Sequence, residues 1–117
     1  MGQFVIRKVS TGVKFDLKAA NGETVATSEV YRTEAACRKG VESVRKCAAV
    51  AGLEDQTQEE WKPAGNPKFQ LYRDRSGGFR FRLTARNGKV IAVSEGYTTC
   101  AAALSGIDSV RKNALDE

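Results

Sequence analysis

The sequence predicts an α+β fold made by tandem duplication: two βββα(β) units forming one continuous antiparallel sheet with two helices packed on it. Three observations carry this prediction. Residues 15–48 match residues 81–114 without a gap at 18 of 34 positions, with Val25/Ile91, Val41/Ile107 and Glu42/Asp108 as conservative pairs besides. Each copy contains a stretch of period-two alternation, such as Lys14-Phe15-Asp16-Leu17-Lys18, the mark of a half-buried strand. Each then turns to helical spacing, with Cys37, Gly40, Val41, Val44 and Ala48 in the first copy and Ala103, Gly106, Ile107, Val110 and Ala114 in the second.

The elements follow in order. Phe4–Lys8 reads as a short strand closed by a turn at Ser10-Thr11-Gly12, and its counterpart Phe69–Arg73 carries one extra residue in the turn Asp74-Arg75-Ser76-Gly77-Gly78. Residues 14–19 and 79–85 form the second strands. Asn21-Gly22 and Asn87-Gly88 predict two-residue type I′ turns, with both residues at positive φ. Glu23–Glu29 and Lys89–Glu95 return as third strands, with Val25 and Thr27 expected on the face of Phe15 and Leu17. Thr33 and Thr99 are suited to cap the helices that follow, and Arg45-Lys46 and Arg111-Lys112 are expected in the last turns, where cations complement the helix dipole. Gly40 and Gly106 fall on the apolar helix faces, where glycine costs about 1 kcal/mol relative to alanine. That cost implies a close approach that leaves no room for a methyl group.

Val50–Glu54 predicts a short fourth strand after the first helix. Only four residues follow Asn113, too few for a matching strand after the second helix. The division is thus a single pseudo-symmetric domain over 1–117: repeat 1 at 3–55, a linker at 56–67 and repeat 2 at 68–117. Trp61 in the linker is expected to pack on the sheet edge or a helix.

Composition narrows the chemistry. In 117 residues, 41% hydrophobic and 28% charged content is that of an ordinary globular chain, and no apolar run is long enough for a membrane span. The N-terminal apolar stretch is too short for a signal peptide, so a cytoplasmic location is expected. Three cysteines do not make a disulfide framework, and Cys37 and Cys47 stand ten positions apart on one helix, about 15 Å along its axis. The absence of histidine removes Ser–His and Cys–His nucleophile systems. No metal-ligand or phosphate-loop pattern is present. The expectation is a non-enzyme without a cofactor.

Two surfaces are candidates for binding. Lys14, Lys18, Tyr72, Arg80, Arg82 and Arg86 are predicted on the sheet face opposite the helices, where cations and an aromatic could hold a polyanion such as nucleic acid. The plainer reading is a solvated sheet face. Ser28, Glu29 and Tyr31 recur as Ser94, Glu95 and Tyr97 where the third strand meets the helix, a duplicated polar site or a set of strand-end and capping residues. Cys100 stands in a first helical turn, where thiols can become reactive.

The combination of Phe4-Val5-Ile6-Arg7-Lys8, Phe15-x-Leu17-Lys18-Ala19-x-Asn21-Gly22, Ser28-Glu29-x-Tyr31 and Ala35-Ala36-x-x-x-Gly40-Val41-Glu42-Ser43-Val44-Arg45-Lys46, repeated in the second half, resembles the YegP-like family of small bacterial proteins. The resemblance implies a βββαβ unit whose final strand is exchanged between two units, by dimerisation in one-copy members and within one chain in tandem members; here it implies a one-sided exchange of Val50–Glu54, with no full-length counterpart after the second helix. A monomer is therefore expected. It implies no defined activity. The sequence reading is a non-catalytic binding or interaction module with an unspecified protein partner, its sheet edges and bare face being the contact surfaces, as in strand addition, with weak polyanion binding or a structural, stress-accessory role as alternatives.

Overall fold

The computed structural model describes residues 2–115. Its elements are β1 (Gln3–Val9), β2 (Gly12–Lys18), β3 (Thr24–Thr27), α1 (Glu34–Val50), β4 (Gly52–Asp55), β5 (Lys68–Arg73), β6 (Phe79–Thr84), β7 (Val90–Val93) and α2 (Cys100–Leu115). The strands form one seven-stranded sheet in the order β1-β2-β3-β7-β6-β5-β4. Each repeat supplies an antiparallel meander, and the two meanders meet where Thr27 pairs with Val93. The duplicated α+β architecture is as the sequence predicts.

One strand is not antiparallel. β4 leaves α1 of repeat 1 and pairs with β5 of repeat 2 in parallel, Gly52 opposite Lys68 through Asp55 opposite Leu71. The strand exchange is therefore real, but it makes the sheet mixed. Residues 56–67 explain the direction: a parallel neighbour needs a crossover of about a dozen residues, and this segment supplies it. It is accordingly a pinned connection. The Gln56 amide donates to the Leu71 carbonyl, the Ala64 amide to Glu54, and the Thr84 hydroxyl to the Asn66 side chain. Trp61, in this connection, is 41% exposed. The expectation about the C-terminal residues falls partly on Asp116 and Glu117, outside the described residues.

Both helices pack on one face, over a core that includes Phe15, Leu17, Phe69, Leu71, Phe81 and Leu83 from the strands and Val44 and Val110 from the helices. Thr33 and Thr99 cap the helices, accepting from the Ala36 and Ala102 amides. Gly40 and Gly106 show what the close approach is. A methyl group on Gly40 would lie 2.3 Å from the Tyr31 hydroxyl oxygen, and one on Gly106 would lie 2.4 Å from that of Tyr97. Each tyrosine ring is itself stacked on Phe15 or Phe81 and cannot swing aside freely.

Three local expectations are corrected. Only Gly22 and Gly88 have positive φ in the second hairpins. Ala19 and Glu23 close a three-residue loop, a turn followed by a left-handed glycine, and Asn21 accepts from the Glu23 amide instead of adopting positive φ itself. The third strands are shorter than predicted, and Leu17 pairs with Ala26 and Asp16 with Thr27, a register shift following between Leu17 and Lys18. Thr27 thus lies on the open face, opposite Asp16. Finally, α1 continues to Val50, so Arg45-Lys46 precede its last turn, whereas Lys112 does sit in the last turn of α2. Arg111 serves the C-terminal end of α1 instead of that of its own helix. It lies 4.8 Å from the Phe69 ring and donates to the carbonyls of Ala48 and Ala51, holding the junction from which β4 departs.

Candidate functional site

The open face assembles as the alternation predicts, with Lys14, Asp16 and Lys18 on β2, Arg80, Arg82 and Thr84 on β6, and Gln70 and Tyr72 on β5. Of its cations, the strand arginines are engaged. Arg80 pairs with Asp74 at 3.1 Å, and Arg7, which the sequence reading passed over, pairs with Asp16 at 2.8 Å. Burial acts to raise the Asp16 carboxyl, but hydrogen bonds from Arg7 and Thr27 outweigh it and hold the group below its ordinary value. Arg82 donates to Gln70 and stacks 4.7 Å above Tyr72, covering one face of the ring that the sequence offered for base stacking. Arg86 is exposed beside the hairpin turn.

Beside this face lies a buried carboxylate that the sequence did not flag. Glu54, 2% exposed, takes four hydrogen bonds: Gln56 and Gln70 donate to one oxygen, the Ala64 amide and the Lys68 ammonium to the other. Burial alone would push its pKa up, yet Lys68 and the three amides bring it down to about 2. All four of these hydrogen bonds come from protein groups, so the cluster is a lock between β4, the crossover and β5.

The duplicated polar set also resolves into local roles. The Ser28 hydroxyl accepts from the Phe15 amide and donates to the Glu29 carbonyl, and Ser94 does the same with Phe81 and Glu95. Both serines continue the sheet ladder beyond the last strand pair. Tyr31 and Tyr97 bridge to Val13 and Phe79 through backbone bonds and cover the helix glycines. Burial raises both phenol pKa values. Glu29 and Glu95 are exposed at the strand ends. Cys37 and Cys47 are buried free thiols, and Cys100 is half-buried. Among the described residues no group of three or more Cys, Asp or Glu side chains is placed to hold a metal ion.

The two sheet edges differ, and this asymmetry was only partly legible beforehand. Val13 and Phe15 direct their backbone groups toward the third-strand side. By the alternation of an antiparallel ladder, Gln3, Val5, Arg7 and Val9 bond to β2, while Phe4, Ile6 and Lys8 turn theirs outward. The equivalent outward groups on β5 belong to Phe69 and Leu71, and β4 occupies them. Among the described residues no strand lies on the outer side of β1. Burial records the difference: Phe69 and Leu71 are fully buried, whereas Phe4 and Ile6 are only partly covered. A gap of about 220 Å³ opens beside them, bounded by Phe4, Ile6, Arg38, Val41, Glu42 and Arg45.

Comparison with known proteins matches residues 10–55 and 74–117 to a family model described as a domain of unknown function, DUF1508. The UPF0339 protein YegP of Yersinia pestis is 37% identical over 116 residues, covering 98% of this chain and 90% of that protein. A UPF0339 protein of Treponema denticola is 63% identical over 49 residues, 42% of this chain but 84% of that protein, so it is about one repeat long. The solution NMR structure of YegP from E. coli, described as a protein of unknown function, superposes with a TM-score of 0.77 at 32% identity, covering 99% of this chain and 88% of that one.

Proposed function

Taking as premise that this chain belongs to the DUF1508 family, YegP-like and of unknown function, we infer that it is a non-catalytic binding module whose working surface is the outer edge of β1. One observation carries the reading: a seven-residue edge strand with outward backbone groups at Phe4, Ile6 and Lys8 and no neighbour among the described residues. Proteins ordinarily blunt such an edge or use it for strand addition. In this reading residues 1–117 act as one pseudo-symmetric unit. Duplication replaces a homodimer, so the free protein is a monomer. Three thiols with no disulfide suit a reducing compartment such as the cytoplasm. No helix among the described residues is long and apolar enough to cross a membrane.

The polyanion alternative draws less support, because Arg80 and Arg82 are engaged with Asp74, Gln70 and Tyr72. The two readings separate in a capture experiment from host extract with three baits: wild type, Lys8→Pro, and Arg80→Ala/Arg82→Ala. Proline at position 8 removes an outward N–H while leaving the β1–β2 ladder intact, so that variant keeps its fold. The expected result is a protein partner that survives moderate salt, is kept by the double alanine variant and is lost with Lys8→Pro. Nucleic acid retained by wild type, released by salt and lost with the double alanine variant would overturn the reading.

A further inference from the structure

Resting on that reading, we propose that the β1 edge takes an extended acidic peptide segment running parallel to β1, with an aliphatic residue beside Phe4 followed by a carboxylate on the open face. The internal symmetry supplies the template. Phe69 and Leu71 on β5 occupy the places that Phe4 and Ile6 hold on β1, and there the chain has laid Gly52-Leu53-Glu54-Asp55 alongside in parallel. Leu53 pairs with Phe69 on the helix side, and Glu54 falls beside Gln70 on the open face. Copied onto β1, the leucine position comes beside Phe4 at the mouth of the 220 Å³ gap, where Ile6 and Val41 offer apolar wall. The carboxylate position falls on the open face beside Gln3 and Val5.

Charge selects the same occupant. Around this edge Arg7 is matched by Asp16, Arg38 by Glu34 and Arg45 by Glu42, all within 3.1 Å. Lys8, Lys14 and Lys18 have no carboxylate partner among these pairs. Lys18 stands directly across from Gln3, one strand in from the edge, so its ammonium can serve a carboxylate there as Lys68 serves Glu54. The surplus is three positive charges on a surface that also carries the outward backbone groups of β1. A segment with its own carboxylates completes both.

The probe is the chain's own β4 sequence as a blocked peptide, Ala-Gly-Leu-Glu-Asp-Gln, titrated into isotope-labelled full-length protein, with Ala-Gly-Leu-Lys-Lys-Gln as the charge-reversed control. The expected result is saturable shifts centred on the Phe4, Ile6 and Lys8 amides for the acidic peptide. A spin label on its N-terminus should broaden signals near Gln3, and one on its C-terminus those near Val9. Lys8→Pro should abolish the shifts, and Lys18→Glu should weaken binding about threefold to fivefold, the scale of one exposed ion pair. Equal binding of both peptides at these amides would overturn the acidic occupant while leaving the edge as the binding surface. No shifts from either peptide at millimolar concentration would overturn the proposal, and the capture experiment above reads the edge independently. Shifts at the same amides on raising protein concentration alone would replace the peptide by a second copy of the chain.

Discussion

Glu54→Gln should lower the unfolding free energy by about 3 kcal/mol, because it leaves the Lys68 ammonium, only 14% exposed, without its counter-charge. The lock has a pH signature. Folding holds this carboxyl at about 2, below its ordinary 4.5, so folding favours the ionised form. The stability it contributes is complete above pH 4.5 and is lost as the pH falls from 4.5 toward 2. Denaturant melts between pH 2 and 7 should show this acid limb in wild type and a flattened one in Glu54→Gln. Lys68→Met should cost a similar amount, and the two changes together less than their sum, since each removes the same interaction. Additive losses with an unchanged acid limb would show that Glu54 is not the anchor of β4.

Gly40→Ala and Gly106→Ala should each destabilise the fold by about 1–3 kcal/mol, although alanine is the better helix former. The added methyl meets Tyr31 Oη at 2.3 Å and Phe15 Cε2 at 3.1 Å, or Tyr97 Oη at 2.4 Å and Phe81 Cε2 at 2.9 Å. The sign of the effect identifies the cause. In a Tyr31→Leu background the obstructing ring is gone, and Gly40→Ala should become neutral or stabilising. Thermal or denaturant melts of the four proteins in that cycle provide the check. A rise in melting temperature for Gly40→Ala alone would remove the packing explanation.

These two sites mark what the sequence could and could not disclose. Gly40 and Gly106 were readable as close-approach positions because a mid-helix glycine on an apolar face has a cost that demands a reason. The opposing group, Tyr31 or Tyr97, was not, because it depends on how the chain between β3 and α1 folds back over the helix. Meander and helix follow from periodicity and turn residues, which are local, whereas the exchange of β4 is what the family resemblance implies. The parallel pairing of β4 follows from the path of residues 56–67, which a polar composition made look like a plain linker. Glu54 was hidden for the same reason: its four partners come from β5, the crossover and a neighbouring glutamine. On the open face, alternation placed Lys14, Lys18, Arg80 and Arg82 on one side of the sheet. It could not tell that Asp74 and Gln70 would engage the arginines, because those contacts cross strands or a turn. Sheet edges were readable as contact surfaces, but which edge stays open showed only once β4 was seen to cover the counterpart of β1.

Two equivalent edge strands, one covered and one open, are therefore the central feature of this molecule. Native-state amide exchange of the free protein measures that asymmetry directly. The amides of Phe69 and Leu71, bonded under β4, should exchange only through large-scale unfolding, while those of Phe4 and Ile6 should exchange at least about 100-fold faster from the intact fold. Equal protection at the two pairs would mean that the β1 edge is already covered in the free protein, and would contradict an open binding edge.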